Sequence, residues 1–158
     1  LKARNIPTNS VPPAIHLPML QGTEIFIHPL EMSLEVVNGS VRDALHRIGT
    51  YTGSIDSRTR LPDGFGTMIY ENEEFEGDWE QGYYHGHGKH TNAQGDVYEG
   101  PFHYGLKQGK ESATMIFGDG RRFHGRFHAD KMREGVLHFM DGSWYEGLLE
   151  NDKRDGFG

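Results

Sequence analysis

An aromatic residue followed two positions later by glycine recurs five times along this chain, and this recurrence limits the possible folds more than any other feature. The five pairs are Tyr51/Gly53, Phe75/Gly77, Tyr98/Gly100, Phe123/Gly125 and Tyr145/Gly147. Successive aromatic residues of the series are 24, 23, 25 and 22 positions apart. A nearly fixed period of this length is typical of repeat architectures, in which one supersecondary unit stacks on the next.

The rest of each unit predicts a β-hairpin. A second large apolar residue stands four positions after the first aromatic residue, as Ile55, Trp79, Phe102, Phe127 and Leu149. A Gly-x-Gly follows in three units, at residues 64–66, 86–88 and 156–158. Gly95, Gly120 and Gly142 each adjoin an aspartate just before the next unit, where glycine allows the positive φ of a tight turn.

Alternation along the strands predicts that the aromatic rings share one face. Phe75, Gly77 and Trp79 point the same way in a strand, because successive side chains alternate between faces. The rings of the next unit, Tyr98 and Phe102, are expected to lie beside them. One hairpin cannot bury such a face alone, so stacking should supply the stability, with each ring burying about 150–250 Å².

This pattern resembles the MORN repeat (membrane occupation and recognition nexus), whose consensus runs Tyr-x-Gly-x-Trp/Phe-x-x-Gly-x-x-x-Gly-x-Gly. The resemblance covers residues 51–158, and units two and five follow the consensus most closely. It implies an all-β fold, an elongated and twisted antiparallel sheet of stacked, solenoid-like hairpins with a small N-terminal cap. We divide the chain into an extended proline-containing arm (1–18), a cap of strands and a short helix (19–50) and about five repeat units (51–158), the last incomplete.

The cap prediction rests on the segment that lacks the repeat. Residues 23–28 and the alternation of Leu30, Met32, Leu34 and Val36 predict two strands, the second ending at residues 38–39. Residues 40–43 are typical of a capped helix start, and the helix would carry Val41, Ala44, Leu45 and Ile48 on one face. We expect this segment to cover the first repeat, since an open sheet edge leaves backbone groups unpaired. The alternative is that it belongs to a preceding domain.

Charge and residue types weigh against several classes of site. Residues 51–158 hold 12 basic and 19 acidic side chains, whereas a nucleic-acid-binding surface needs a basic stripe. His85, His87 and His90 lie close together, with His103 in the next unit, and we favour a structural role for them over a metal site. No catalytic set emerges, and the glycine pairs are not followed by the helix that a phosphate site requires. We therefore expect no enzyme activity, no nucleic acid, no metal and no cofactor.

The resemblance implies a non-catalytic scaffold or adaptor, and many MORN proteins serve cytoskeletal assemblies. We expect a helix or strand of a protein partner to lie in an exposed groove on the aromatic face. The predicted contacts are Phe75, Trp79, Tyr98, Phe102, Phe123, Phe127 and Tyr145. A cytoplasmic location is expected, on the cytoskeleton or at the cytoplasmic side of a membrane, and the absence of cysteine fits a reducing compartment.

Two alternatives remain open. The chain is either a peripheral module that binds acidic phospholipids, through Arg121, Arg122 and Arg126, or the targeting module of a larger enzyme. An anionic membrane surface would repel the acidic run of residues 71–80, so membrane contact is expected to be weak or indirect.

The sequence also predicts self-association. It stops inside unit five, before the expected second strand, so Tyr145 and Leu149 should lie on an unpaired edge strand. Such an edge can pair with another copy, which predicts a two-fold homodimer through the C-terminal repeats. The alternative is that further repeats follow.

Overall fold

The computed structural model describes residues 15–18, 24–27 and 33–155, and over these residues the chain is all-β, without a helix. Fourteen strands form one antiparallel sheet, as expected for stacked hairpins. The strands are β1 (Ile15–Pro18), β2 (Glu24–Ile27), β3 (Ser33–Arg42), β4 (Ile48–Asp56), β5 (Pro62–Ile69), β6 (Glu74–Glu80), β7 (Tyr83–Thr91), β8 (Val97–His103), β9 (Leu106–Lys107), β10 (Ala113–Ile116), β11 (Arg122–His128), β12 (Lys131–His138), β13 (Trp144–Glu150) and β14 (Lys153–Asp155).

The strands are neighbours in sequence order, with one exception. Strand β9 pairs with β8 at the hairpin tip, and β10 is the next neighbour of β8 along the sheet. Each sequence unit from β4 to β14 is therefore one hairpin, joined to the next by a short turn. Gly95, Gly120 and Gly142 have φ values of 80°, 92° and 84° in these turns, which confirms the predicted role of glycine there.

A row of glycines crosses the repeat region and explains the aromatic-x-Gly pattern. In the registers of β4 to β13, glycine faces glycine on successive strands, with Ala113 as the exception. The first aromatic ring of each unit lies across this row. A Cβ atom at Gly88 would stand 2.5 Å from Cζ of Phe75. Only glycine leaves room for the ring against the backbone.

The rings form a continuous ladder on this inner face, as the repeat predicted. Within one unit, the rings of Tyr98 and Phe102 meet edge to face at a centroid distance of 4.9 Å. Between units, the first ring of one hairpin contacts the second ring of the next, as in Phe75–Phe102 at 5.3 Å and Tyr98–Phe127 at 5.0 Å. Edge-to-face contacts of this kind stabilise aromatic pairs beyond their buried area.

The segment before the repeats differs from the predicted cap. Strands β1 to β3 continue the same sheet, and residue 51 lies inside β4, so the division at residues 50/51 falls within a strand. Strand β3 does not end at residues 38–39 but passes a β-bulge there, with Asn38 at a φ of 50°. Residues 1–14 of the predicted arm, and Leu30 and Met32 of the predicted strand, lie outside the described residues.

The predicted helix at residues 40–48 is wrong. Residues 40–42 pair with β4, and the chain then turns at Asp43–Arg47. Oδ1 of Asp43 accepts hydrogen bonds from the backbone N–H groups of Leu45 and Arg47, both at 2.9 Å. The aspartate that resembled a helix cap therefore closes a tight turn, because pairing with β4 satisfies the backbone that a helix would have used.

Candidate interaction surface

The aromatic residues predicted to contact a partner form the interior of the fold. The side chains of Phe75, Trp79, Tyr98, Phe102, Phe123, Phe127 and Tyr145 are only 0–8% exposed. The expected exposed groove is wrong for these residues, because rings of neighbouring units cover one another and the glycine row. Binding of a partner to them stays a prediction, and it would require the ladder to open.

The buried tyrosines of the ladder satisfy their own hydroxyl groups. The hydroxyl groups of Tyr51, Tyr98 and Tyr145 donate to the carbonyl oxygen three residues later, at 2.8, 2.9 and 2.8 Å. Burial raises the pKa of Tyr51 and of Tyr98. The same hydrogen bond in three units explains why tyrosine alternates with phenylalanine at this position without an unpaired buried oxygen.

The opposite side of the sheet, called the outer face here, displays charged side chains and several large apolar ones. Phe65 and Ile69 of β5, Ile116 of β10, and Trp144 and Leu148 of β13 are all exposed on this face. Contiguous exposed apolar patches mark interaction sites, whereas single exposed apolar side chains are common on protein surfaces.

Two of these residues lie on the same strand. Trp144 is 62% exposed and Leu148, on the same side of β13, is 57% exposed. We call these two residues the Trp144 patch. The other tryptophan, Trp79, is 3% exposed and donates its indole N–H to the carbonyl oxygen of Gly66 at 3.0 Å. The two tryptophans thus have different roles.

The three arginines proposed for lipid contact occupy different surroundings. Arg121 bonds Asp119 through Nε at 2.8 Å, and its guanidinium lies 4.5 Å from the ring centroid of Phe117. Arg126 forms an ion pair with Glu134 on the neighbouring strand β12. Arg122 lies on the outer face between Ile116 and His138 and forms no ion pair with the part of the chain that is described.

A buried polar network that the sequence did not predict joins the turn after β3 to the second repeat. Oδ2 of Asp43, which is buried, accepts from Nε of Arg47 and the hydroxyl of Tyr70, both at 2.7 Å. Oε1 of Glu73 accepts hydrogen bonds from Nη1 of Arg47 at 2.9 Å, from the hydroxyl of Tyr84 at 3.1 Å and from Nε2 of His90 at 2.8 Å. The sequence signals in this segment, a helix start at residues 40–43 and the apolar spacing that followed, predicted a helix instead.

The network perturbs the ionisation of its members. Burial alone would raise the pKa of Glu73, but hydrogen bonds from His90 and Arg47 outweigh burial and lower it. Burial lowers the pKa of His90, and its hydrogen bond to Glu73 offsets this only in part. Burial also raises the pKa of Tyr84 to about 12. At neutral pH the imidazole of His90 is therefore a neutral donor to an ionised Glu73.

Of the two residues proposed for self-association, Leu149 lies in a paired part of its strand. Strand β14 pairs with β13 from Leu148 to Glu150, so the second strand of unit five begins at Lys153. Tyr145 and Leu149 are buried on the inner face, and the Tyr145 hydroxyl also donates to the carbonyl oxygen of Asp155 at 3.0 Å. These two side chains are therefore not exposed for contact with another copy, and self-association through the C-terminal repeats stays a prediction.

An open groove of about 1630 Å³ lies at the N-terminal end of the described sheet. Leu34, Val41 and Ile55 line its floor, and Arg58 and Arg60 lie at its rim. The floor side chains are buried.

Comparison with known families gives one match. The profile described as MORN repeat matches residues 75–97 and 145–158. These segments are the second and fifth hairpins, the two units that follow the consensus most closely, and they carry the ring-over-glycine geometry described above. The chain carries MORN repeats at these two hairpins. A search of curated proteins found no match.

The MORN repeats limit the function of the chain to a broad class. Its repeats indicate an adaptor or membrane-associated module and are generally non-catalytic. Within the described residues, no helix is long and apolar enough to cross a membrane. The same residues hold no group of three or more metal-ligating side chains, and His85 lies against His103 and near Glu80.

Proposed function

We propose that this MORN protein is a non-catalytic scaffold that binds a protein partner through the Trp144 patch. The observation that carries the proposal is the 62% exposure of Trp144 on a regular strand of the outer face. The rings of the aromatic ladder are buried against one another, so we place the proposed binding site on the outer face instead of the inner face.

The chemistry of the patch suits a partner with an apolar segment. Trp144 and Leu148 stand two alternations apart on one side of β13, and a partner helix or strand can contact both at once. His138 and Glu134 face them from β12 and supply a polar rim. Tryptophan is among the residues that dominate interface energies, since it offers a large area at low entropic cost.

The proposed setting is the cytoplasm, on a cytoskeletal assembly or at the cytoplasmic side of a membrane. The support for it is the family resemblance and the lack of any cysteine in the 158 residues. The same exposed surface would also serve a targeting module within a larger enzyme.

Site-specific photo-cross-linking tests this function. A benzophenone amino acid at Trp144 should give one discrete protein adduct in cells, and adding Leu148→Asp should abolish it. The matched control is the same amino acid at Phe65, an equally exposed outer-face position on β5. Equal adducts from both positions, or an adduct unaffected by Leu148→Asp, would contradict binding at the Trp144 patch.

A second candidate function, binding to acidic phospholipids, is favoured by one specific row of the outer face. Ile116, Arg122, His138 and Trp144 are cross-strand neighbours on β10 to β13, and they combine apolar and cationic groups as interfacial surfaces do. The repeats are acidic as a whole, however, so we expect weak or no flotation with phosphatidylserine vesicles at physiological salt. Strong flotation that persists at about 0.5 M salt, where exposed charges are screened, would reverse this ranking.

A further inference from the structure

The outer face carries opposite charges on two strands of the repeat region. Strand β6 presents Glu74, Glu76 and Asp78, all exposed. Strand β11 presents Arg122, His124 and Arg126, also exposed. Among the described residues, Glu74, Glu76 and Arg122 form no ion pair. On the outer face, β6 therefore has an exposed column of acidic side chains, and β11 has an exposed column of arginine and histidine side chains.

The two columns stand in the same cross-strand rows. The register links one row as Glu74, Thr91, Val97, Ile116 and Arg122, and the next as Glu76, Lys89, Glu99, Thr114 and His124. Asp78 and Arg126 each lie two residues further along their own strands, on the same side. Strand β8 lies midway between β6 and β11, which are four strand spacings or about 19 Å apart.

This arrangement is self-complementary under one two-fold rotation. An axis parallel to the strands, lying above β8, exchanges the positions of β6 and β11 and keeps every row in register. Facing outer surfaces would then bring Glu74 over Arg122, Glu76 over His124 and Asp78 over Arg126 of the other copy. We propose that the outer face binds a second copy of this chain in this two-fold, face-to-face arrangement.

Charge also selects between the two possible axes. A two-fold axis perpendicular to the strands would place β6 on β6 and β11 on β11, so acidic residues would meet acidic ones. Like charges held opposite each other across an interface cost several kcal/mol of binding energy in general. With the axis along β8, the like-charged pair at the centre is Glu99 with its symmetry mate, and Lys89 stands beside each of them.

Some of these groups already have partners within one copy. Arg126 is paired with Glu134, and Asp78 accepts a hydrogen bond from the backbone N–H of His87 at 3.1 Å. Most of the attraction between the two copies is therefore expected from Glu74 and Glu76, which face Arg122 and His124 of the other copy. Strand β13 lies four strand spacings, or about 19 Å, from β8, twice as far as β11. The charged columns proposed to hold the dimer therefore do not include the Trp144 patch.

A charge exchange tests the dimer. The molecular mass of the whole chain, measured by analytical ultracentrifugation at micromolar concentrations, should be that of a dimer. The triple variants Glu74→Lys/Glu76→Lys/Asp78→Lys and Arg122→Glu/His124→Glu/Arg126→Glu should each weaken dimerisation by at least about tenfold. An equimolar mixture of the two should restore a dimer, since opposite columns then face each other again. Circular dichroism controls for folding.

Cross-linking provides a second measurement on a chain that lacks cysteine. Val97→Cys places a thiol beside the axis, so a short bis-maleimide should join two copies across sheets about 10 Å apart. The control is Thr52→Cys on the outer face of β4, whose symmetry mate would be far from it. A monomeric wild-type chain overturns the proposal. So does a dimer that survives both triple variants, a mixture that stays monomeric, or cross-linking as efficient at position 52 as at 97.

Discussion

Arg47 connects three elements of the fold through a single side chain. Its guanidinium bonds Asp43 in the turn after β3, Glu73 before β6, and the hydroxyl groups of Tyr70 and Tyr84. These contacts span up to 37 residues of sequence. The local pattern of residues 40–48 predicted a helix, and contacts with residues so distant in sequence were not predicted.

Replacing Arg47 should destabilise the protein strongly. Arg47→Met keeps the length of the side chain but leaves the buried Asp43 without its cation, which should lower the free energy of unfolding by about 2–4 kcal/mol. Arg42→Met, at an exposed position on β3, is the matched control and should change it by under about 0.5 kcal/mol. Urea titration measures both. Equal effects would show that the network contributes little.

The network should also make stability depend on pH. His90 has a pKa below its unfolded value because it is buried, so folding favours the neutral imidazole. Its contribution is fully present above the unfolded pKa of about 6.5 and is lost as pH falls below that value. His90→Gln should therefore flatten the loss of stability between about pH 7 and 5. The control is His138→Gln, which is exposed, and the readout is the urea midpoint at each pH.

The hairpin is the element that the sequence predicts best. Aromatic-x-Gly at a fixed period gave the strands, the turns and the contact between rings of successive units. The pattern predicts the fold because each aromatic ring packs directly on a glycine of a neighbouring strand, as Phe75 does on Gly88. The N-terminal strands were predicted less well, because a bulge at Asn38 and a tight turn at Asp43 interrupt the alternation without a strong signal.

Adding one methyl group to the glycine row should reveal this packing. Gly88→Ala would push Cβ against the ring of Phe75 and should cost about 3 kcal/mol of unfolding free energy. Gly95→Ala meets no atom within 4 Å but has a φ of 80°, so it should cost only about 1 kcal/mol through backbone strain. Thermal or urea unfolding measures the difference. A cost at Gly88 no greater than at Gly95 would refute tight packing over the row.

At the scale of the whole molecule, the sequence predicted that rings of successive units meet, but not that these contacts leave the rings without an exposed groove. The exposure of each ring depends on how closely the side chains of neighbouring units pack, which the spacing of a repeat does not specify. Trp144 and Leu148, the residues of the proposed binding site, each precede a repeat residue, Tyr145 or Leu149. They lie on the outer face, whereas the repeat residues lie on the inner face. The register of thirteen strands, rather than any motif, brings the charged columns of β6 and β11 into shared rows.

The separation of an internal ring ladder from a displayed outer face is tested most directly by tryptophan fluorescence. Trp144→Phe leaves Trp79 as the only tryptophan, so its acrylamide quenching can be compared with that of the wild-type chain. We predict blue-shifted, weakly quenched emission from Trp79, and a strongly quenched, red-shifted component that disappears with Trp144. Efficient quenching of Trp79 in the folded variant, or protection of Trp144 in the chain on its own, would contradict this assignment of the two faces.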